Sequence, residues 1–418
     1  MKLYHFKYFP HFYLPILMIA YIAGNAVIDL CIILSGLSWL LIYRKNFFKF
    51  EKLIKSIFIL LFLFYFLLII SSLFSEYFSY SIIKASLFIR FILFGLFFYE
   101  IFNKDLYKFS EYFNPILFIL LFIYIDVILQ LIIGKDIFGF AYTSRDRLSG
   151  PFGDELILGS FIFIFGSLYI LTRSKYDLFF YFFLFLSFII ISVTGERVAF
   201  IKFTLFVVLL LLYIFFKNKE FKKIKIFISL LILIFTTYLT LLFKTDYLDR
   251  HTQFIEKFTP GTNNFILYTG YYAHFTTALN IFSDNPILGS GFRSFRKECK
   301  KYENYFDIHN IPSLKNIKNE ETQIKIKDSL NTNICTTHPH NFYLEILSET
   351  GLLSLILFLS ILYLAYRKLI LFETKLFFII YFFPFISTGS IFHGKNSFLL
   401  IFILLSTLFI DRKKTINK

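Results

Sequence analysis

Ile57-Phe58-Ile59-Leu60-Leu61-Phe62-Leu63-Phe64-Tyr65-Phe66-Leu67-Leu68-Ile69-Ile70 offers no polar face to water. A surface helix keeps a polar side, and a half-buried strand alternates polar with apolar residues. This run does neither, and Phe179–Ser192 repeats the pattern. Apolar runs of about 17 or more residues, enough for a helix to cross a bilayer, recur along nearly the whole chain. Composition agrees: 57% of the 418 residues are hydrophobic, and the mean hydropathy is +0.68, above that of a soluble domain. Strands of a membrane barrel would alternate, and these runs do not. The expected fold is an all-α polytopic integral membrane protein.

About twelve spans are expected. They lie near residues 12–24, 26–43, 54–74, 81–99, 112–133, 156–172, 178–194, 198–216, 224–243, 342–365, 374–392 and 397–410. One large polar segment, 244–340, separates the ninth from the tenth, so the chain divides into 1–243, 244–340 and 341–418. The net charge of +15 suggests nucleic-acid binding only until its location is checked. The lysines and arginines concentrate in loops on one side: Arg44, Lys45, Lys49, Lys52, Lys55, then Lys217, Lys219, Lys222, Lys223, Lys225, then Arg412, Lys413, Lys414. The short opposite loops hold few cations, which places both termini in the cytoplasm and the 244–340 loop outside. No cleavable signal peptide is expected, because the first apolar run continues into a second span. The 63 Phe and 28 Tyr reflect nucleotide bias of the genome as readily as glycan stacking.

Nearly every unusual polar group opens to the outer side. Thr337-His338-Pro339-His340-Asn341 ends the large loop, with Pro339 pushing His338 out of helical backbone and Asn341 suited to cap the next helix. His340, Leu344, Leu347 and Gly351 fall on one helical stripe, which holds an imidazole, the usual proton acceptor near neutral pH, at the mouth of a span. The bland alternative is a polar cap and nothing more. Arg90 lies inside a span, where a charge is costly. Arg147 precedes Leu148-Ser149-Gly150, and Arg197 closes Thr194-Gly195-Glu196-Arg197, with Lys202 deeper in the same span. The three arginines suit a diphosphate. Alternatively each has a plain ion pair: Arg147 with Asp146 or Asp154, Arg197 with Glu196. Asp126 and Gln130, four apart, and Glu155 are weak candidates for glycan or acceptor contacts, as is Asn341; for Asp126 and Gln130 interhelical hydrogen bonding is an equal reading. His274 and His393-Gly394-Lys395-Asn396 also face outward. Gly289-Ser290-Gly291 lacks a following Gly-Lys-Ser/Thr and reads as a tight turn, not a nucleotide loop. Cys299 and Cys335 share the external loop, where a disulfide is permitted. No metal-binding spacing, zinc-protease helix or serine-hydrolase elbow occurs, so neither metal nor cofactor is expected.

Together these stretches resemble the O-antigen ligase/polymerase superfamily of bacterial envelope glycosyltransferases. They are Asp126–Gln130 with Gly134-Lys135-Asp136-Ile137-Phe138-Gly139, Arg147-Leu148-Ser149-Gly150 with Asp154-Glu155 and Gly159, Thr194-Gly195-Glu196-Arg197, Asn285-Pro286-Ile287-Leu288-Gly289-Ser290-Gly291, and His338-Pro339-His340-Asn341 with Leu344, Glu349 and Gly351. The resemblance implies a metal-independent transfer of a glycan from a polyprenyl-diphosphate donor to an acceptor hydroxyl. Carried over by position, Arg197, Arg147 and Arg90 bind the diphosphate, and His340 is the catalytic histidine with His338 its neighbour or substitute. The His-Pro-His-Asn and Thr-Gly-Glu-Arg forms look most like ligase members acting on lipid A-core. Polymerases and protein O-oligosaccharyltransferases share the motifs. The rival from another class is a lipid-linked-sugar transporter, which internal repeats and midplane charges would mark.

Overall fold

The computed structural model describes residues 9–104, 108–141, 147–173, 176–217, 270–302 and 334–416, with 324, 327, 328, 330 and 331 between the last two. The described chain is helical, with a single isolated bridge, Lys135 to Ala141, outside the helices. In order come α1 Phe9–Ala23, α2 Asn25–Ser38, α3 Lys52–Leu73, α4 Phe78–Leu87, α5 Ile89–Lys104, α6 Asn114–Ile133, α7 Leu158–Thr172, α8 Leu178–Val193 and α9 Arg197–Lys217. After them come α10 Gly270–Asp284, the short α11 Phe295–Glu298, α12 Phe342–Lys368, α13 Phe372–Tyr381 and α14 Gly394–Ile416. Seven helical stretches among the described residues are long and apolar enough to cross a membrane, so the protein is a multi-pass membrane protein. The ninth expected span, 224–243, lies outside the described residues.

Burial is distributed as a bilayer requires. Leu30, Leu41, Phe66, Phe118, Ile132 and Phe182 are exposed, as lipid-facing side chains are. The inner faces interlock through aromatic rings, among them Phe98 on Phe102 and Phe402, and Phe165 on Phe161 and Phe402. α14 is the central post, buried along almost its whole length.

Two elements depart from expectation. The eleventh span, read as 374–392, is helical only to Tyr381. Ten residues rise about 15 Å, half the hydrocarbon thickness. Pro384 explains the stop, since it lacks an N–H and disfavours helix at the residue before it. Irregular backbone at membrane depth persists only where its polar groups find partners, and here they do. Lys202 Nζ donates to the Tyr381 carbonyl at 3.2 Å, the Tyr343 hydroxyl to Phe382, and Asn341 Nδ2 to Pro384 at 2.7 Å.

The second departure is inside α12. Gly351 has φ 78° and ψ 179° and interrupts the helix, so the stripe from His340 to Gly351 is not one continuous helical face. The 285–291 turn fills the break. Leu352 N donates to the Pro286 carbonyl (3.0 Å), Ser290 N to Ser348 (3.0 Å) and Gly291 N to Glu349 (2.8 Å). A Cβ at Gly351 would lie 2.1 Å from the Ile287 carbonyl oxygen, and one at Gly289 2.3 Å from the Glu349 and Thr350 backbone. Only glycine permits that approach.

Candidate active site

The starts of α2, α7, α9, α12 and α14 lie at the same end of the helices, and the polar groups gather there. Asn341 caps α12 as its sequence position suggests, its side chain accepting from Tyr343 N (2.9 Å) and Leu344 N (3.2 Å). The residue before it, His340, has left-handed backbone with φ 55°. That conformation is held by Thr388 N, which donates to the His340 carbonyl at 2.8 Å. Glu345, one turn into α12, fastens the same irregular segment, accepting from Ile391 N (2.7 Å) and the Ser390 hydroxyl.

The imidazoles cluster. The His338 and His340 ring centroids are 4.2 Å apart, and His274 from α10 stands 5.3 Å from His340. His338 Nδ1 is 2.8 Å from the Thr337 hydroxyl, while its Nε2 is buried without a hydrogen-bond partner. Burial, reinforced by the neighbouring His340 and His274, pushes His338 down to about 3. Burial lowers His340 as well. Both rings are therefore neutral at physiological pH, the form that accepts a proton. A disulfide joins Cys299 to Cys335, with Cα atoms 5.2 Å apart, and ties the chain just before His338 to the end of α11. Among the described residues no group of three His, Cys, Asp or Glu side chains is arranged to hold a metal ion.

The arginines are placed differently from a bare cluster. Arg147 lies 3.7 Å from Glu196, and donates to the Leu156 carbonyl at 3.2 Å. Asp154 is not its partner, and Asp146 lies outside the described residues. Glu196 also serves α7, accepting from Gly159 N (2.7 Å), Ser160 N (3.1 Å) and the Ser160 hydroxyl (2.8 Å). Burial raises the Glu196 carboxyl, with Arg147 acting against it. Arg197, half-buried, opens α9 directly after Glu196. Arg90 pairs with Asp29 at 3.2 Å, a partner absent from the sequence reading, although a lone carboxylate in an apolar run is itself a signal. Glu155 pairs with the buried Lys395, and His393 feels the charges of Arg293, Glu155, Lys395 and Asp29. The polar set is thus continuous from Asp29 to the histidines.

Asp126 and Gln130, weak candidates for glycan contacts in the sequence, are held by the protein's own backbone. Both are fully buried. Asp126 accepts from Ile137 N at 2.8 Å, and Gln130 joins the Phe140 carbonyl (3.1 Å) to Gly150 N (2.9 Å). They fasten two turns. A cavity of about 130 Å³ lies at the opposite end, lined by Glu51, Tyr99, Lys368, Asp411 and Arg412. Its charges are satisfied internally: Glu51 pairs with Lys368 and Arg412, and Asp411 accepts from Ile370 N and Leu371 N. It is not where the imidazoles are.

Residues 182–359 match the family model described as O-antigen ligase. The match covers less than half of the chain and supports a likeness of this region to the O-antigen ligase superfamily. The matched O-antigen ligase region contains Arg197, His274, Arg293, His338, His340 and the Gly351 break, while Arg90, Arg147, Glu155 and Lys395 stand outside it. No curated protein matches the chain.

Proposed function

We propose that the protein is a ligase-type glycosyltransferase, moving a glycan from a polyprenyl-diphosphate carrier to an acceptor hydroxyl, that of lipid A-core, at the periplasmic face of the inner membrane. The observation that carries this reading is His340, neutral and held on left-handed backbone beside His338, within the O-antigen ligase match. The glycan is already activated by its diphosphate. His340 takes the acceptor proton as the hydroxyl oxygen attacks the anomeric carbon. The bond from that carbon to the diphosphate oxygen breaks on the opposite face, inverting the centre, and the leaving group carries its electron pair away. Cations at the site take up that charge, a role assigned to Arg197, Arg147 and Arg90; the carboxylates on Arg147 and Arg90 then serve to orient them. In this reading 244–340 forms the periplasmic loop over the site, with 1–243 and 341–418 spanning the membrane.

Purified protein supplied with polyprenyl-diphosphate glycan and lipid A-core is expected to form the linked product without added metal. His340→Ala is expected to lower kcat by about 10²- to 10⁴-fold, the usual weight of a general base, with the fold intact. Wild-type rates from both His340→Ala and His338→Ala would remove the assignment. Product elongating on the carrier would instead mark a polymerase, and transfer to a protein hydroxyl an O-oligosaccharyltransferase.

A further inference from the structure

The amide that fixes His340 belongs to a residue with a second hold on the same turn. Thr388 N donates to the His340 carbonyl at 2.8 Å, and the Thr388 hydroxyl accepts from Phe342 N at 3.0 Å. Asn341, between the two, donates from Nδ2 to the Pro384 carbonyl at 2.7 Å. So His340, Asn341 and Phe342 are all gripped from one segment. The Thr388 hydroxyl also completes the start of α12, because a helix leaves its first N–H groups without intrahelical partners. Asn341 serves Tyr343 N and Leu344 N, and Thr388 serves Phe342 N from across the fold. The left-handed backbone of His340 (φ 55°) persists only where its surroundings over-determine it, and this grip supplies the constraint.

A clamp must itself be fixed. The 382–391 segment follows the half-span α13 and is tied down at both ends. At its start, Lys202, buried in α9, donates to the Tyr381 carbonyl at 3.2 Å. At its end, two side chains of α14 take hold: Asn396 Nδ2 donates to the Ser390 carbonyl at 2.8 Å, and the Ser397 hydroxyl to the Ile391 carbonyl at 2.7 Å. Glu345 accepts from Ile391 N on the other side. Gly389 leaves room for this, since a Cβ there would lie 2.6 Å from Asn396 Nδ2. Thr388 therefore sits within a strap strung from α9 to α14. In an unbroken α13 its amide would bond the carbonyl four residues back, that of Pro384. Ending the helix before Pro384 frees that amide for His340.

We propose that Thr388 is a positioning residue, its amide and hydroxyl together holding the His340 imidazole at the reacting geometry, and that the broken span exists to present it. What the imidazole then does rests on the glycosyl-transfer reading above; the hold on it does not.

Thr388→Val removes the hydroxyl while keeping the branched shape and the amide, and Thr388→Ser restores the hydroxyl. Asn396→Ala loosens the far end of the strap and carries the test if Thr388→Val does not fold. Transfer kinetics are measured on the full-length protein. So is the rate at which diethyl pyrocarbonate modifies His340 across pH, followed by peptide mass, which needs no substrate. In Thr388→Val, kcat is expected to fall about 10- to 100-fold, the scale of an ångström's misplacement. KM for both substrates stays near wild type, and Thr388→Ser recovers the rate. His340, whose titration burial lowers, is expected to be modified faster in Thr388→Val and to titrate closer to about 6.5. A lower thermal midpoint with kcat and His340 modification unchanged would make Thr388 structural only and overturn the proposal. Wild-type behaviour throughout overturns it as well, read in Asn396→Ala where Thr388→Val does not fold; the transfer reaction stands in both cases. Altered His340 modification in Thr388→Val, with His340→Ala transferring at the wild-type rate, keeps the positioning and overturns the reading of His340 as the base.

Discussion

In the proposed transfer, the protonation of His340 is set by its surroundings before substrate arrives. An ordinary imidazole titrates near 6.5, and burial lowers this one. A base must be neutral to act, so a lowered value keeps it competent in more acidic solution. The acid limb of the kcat/KM profile is therefore expected below pH 6.5, with the rate flat from there through neutrality; a limb at or above 6.5 would contradict the burial seen here. At this scale the sequence was legible where the signal is local. Pro339 and Asn341 announce a histidine at a helix mouth because each acts on its immediate neighbours. Arg90 with Asp29 and Arg147 with Glu196 were hidden, since each pair joins segments that meet only after the helices pack. The turns fastened by Asp126 and Gln130 were hidden for a related reason: a spacing of four places two polar groups on one face but does not say whether water or a turn lies opposite.

Among the elements, α12 carries the most consequence. Its first turns hold Asn341, Glu345 and Glu349, and its break at Gly351 receives the 285–291 turn. Gly351→Ala forces left-handed backbone on alanine, costing on the order of 1–3 kcal/mol, and drives a Cβ to within 2.1 Å of the Ile287 carbonyl oxygen. A lower thermal midpoint in detergent is expected, together with a fall in transfer as the turn is displaced. An unchanged midpoint would mean the turn does not dock there. The apolar runs announced the spans themselves, because bilayer thickness imposes length on any crossing helix. They did not announce where spans fail. Apolarity persists through Phe382, Phe383 and Phe385 while Pro384 ends the helix, and the long-range partners that satisfy the freed carbonyls leave no periodic trace.

For the whole molecule, we propose from the lysine-rich loops that both termini lie in the cytoplasm. A fluorescent protein fused to the C-terminus is expected to mature, and alkaline phosphatase at the same position to stay inactive; the opposite pair of results would invert the site relative to the membrane. The placement of the stitching segment has another consequence, for biosynthesis. The chain emerges N-terminal first, so the turn at 285–291 is made before the helix it docks on, and His340 before the Thr388 amide that fixes its backbone. An unfinished chain that already holds both histidines still lacks the geometry to use them. The ribosome must pass residue 391 before Glu345 can fasten the segment beside His340, which leaves prematurely terminated products inserted in the membrane without a finished histidine cluster.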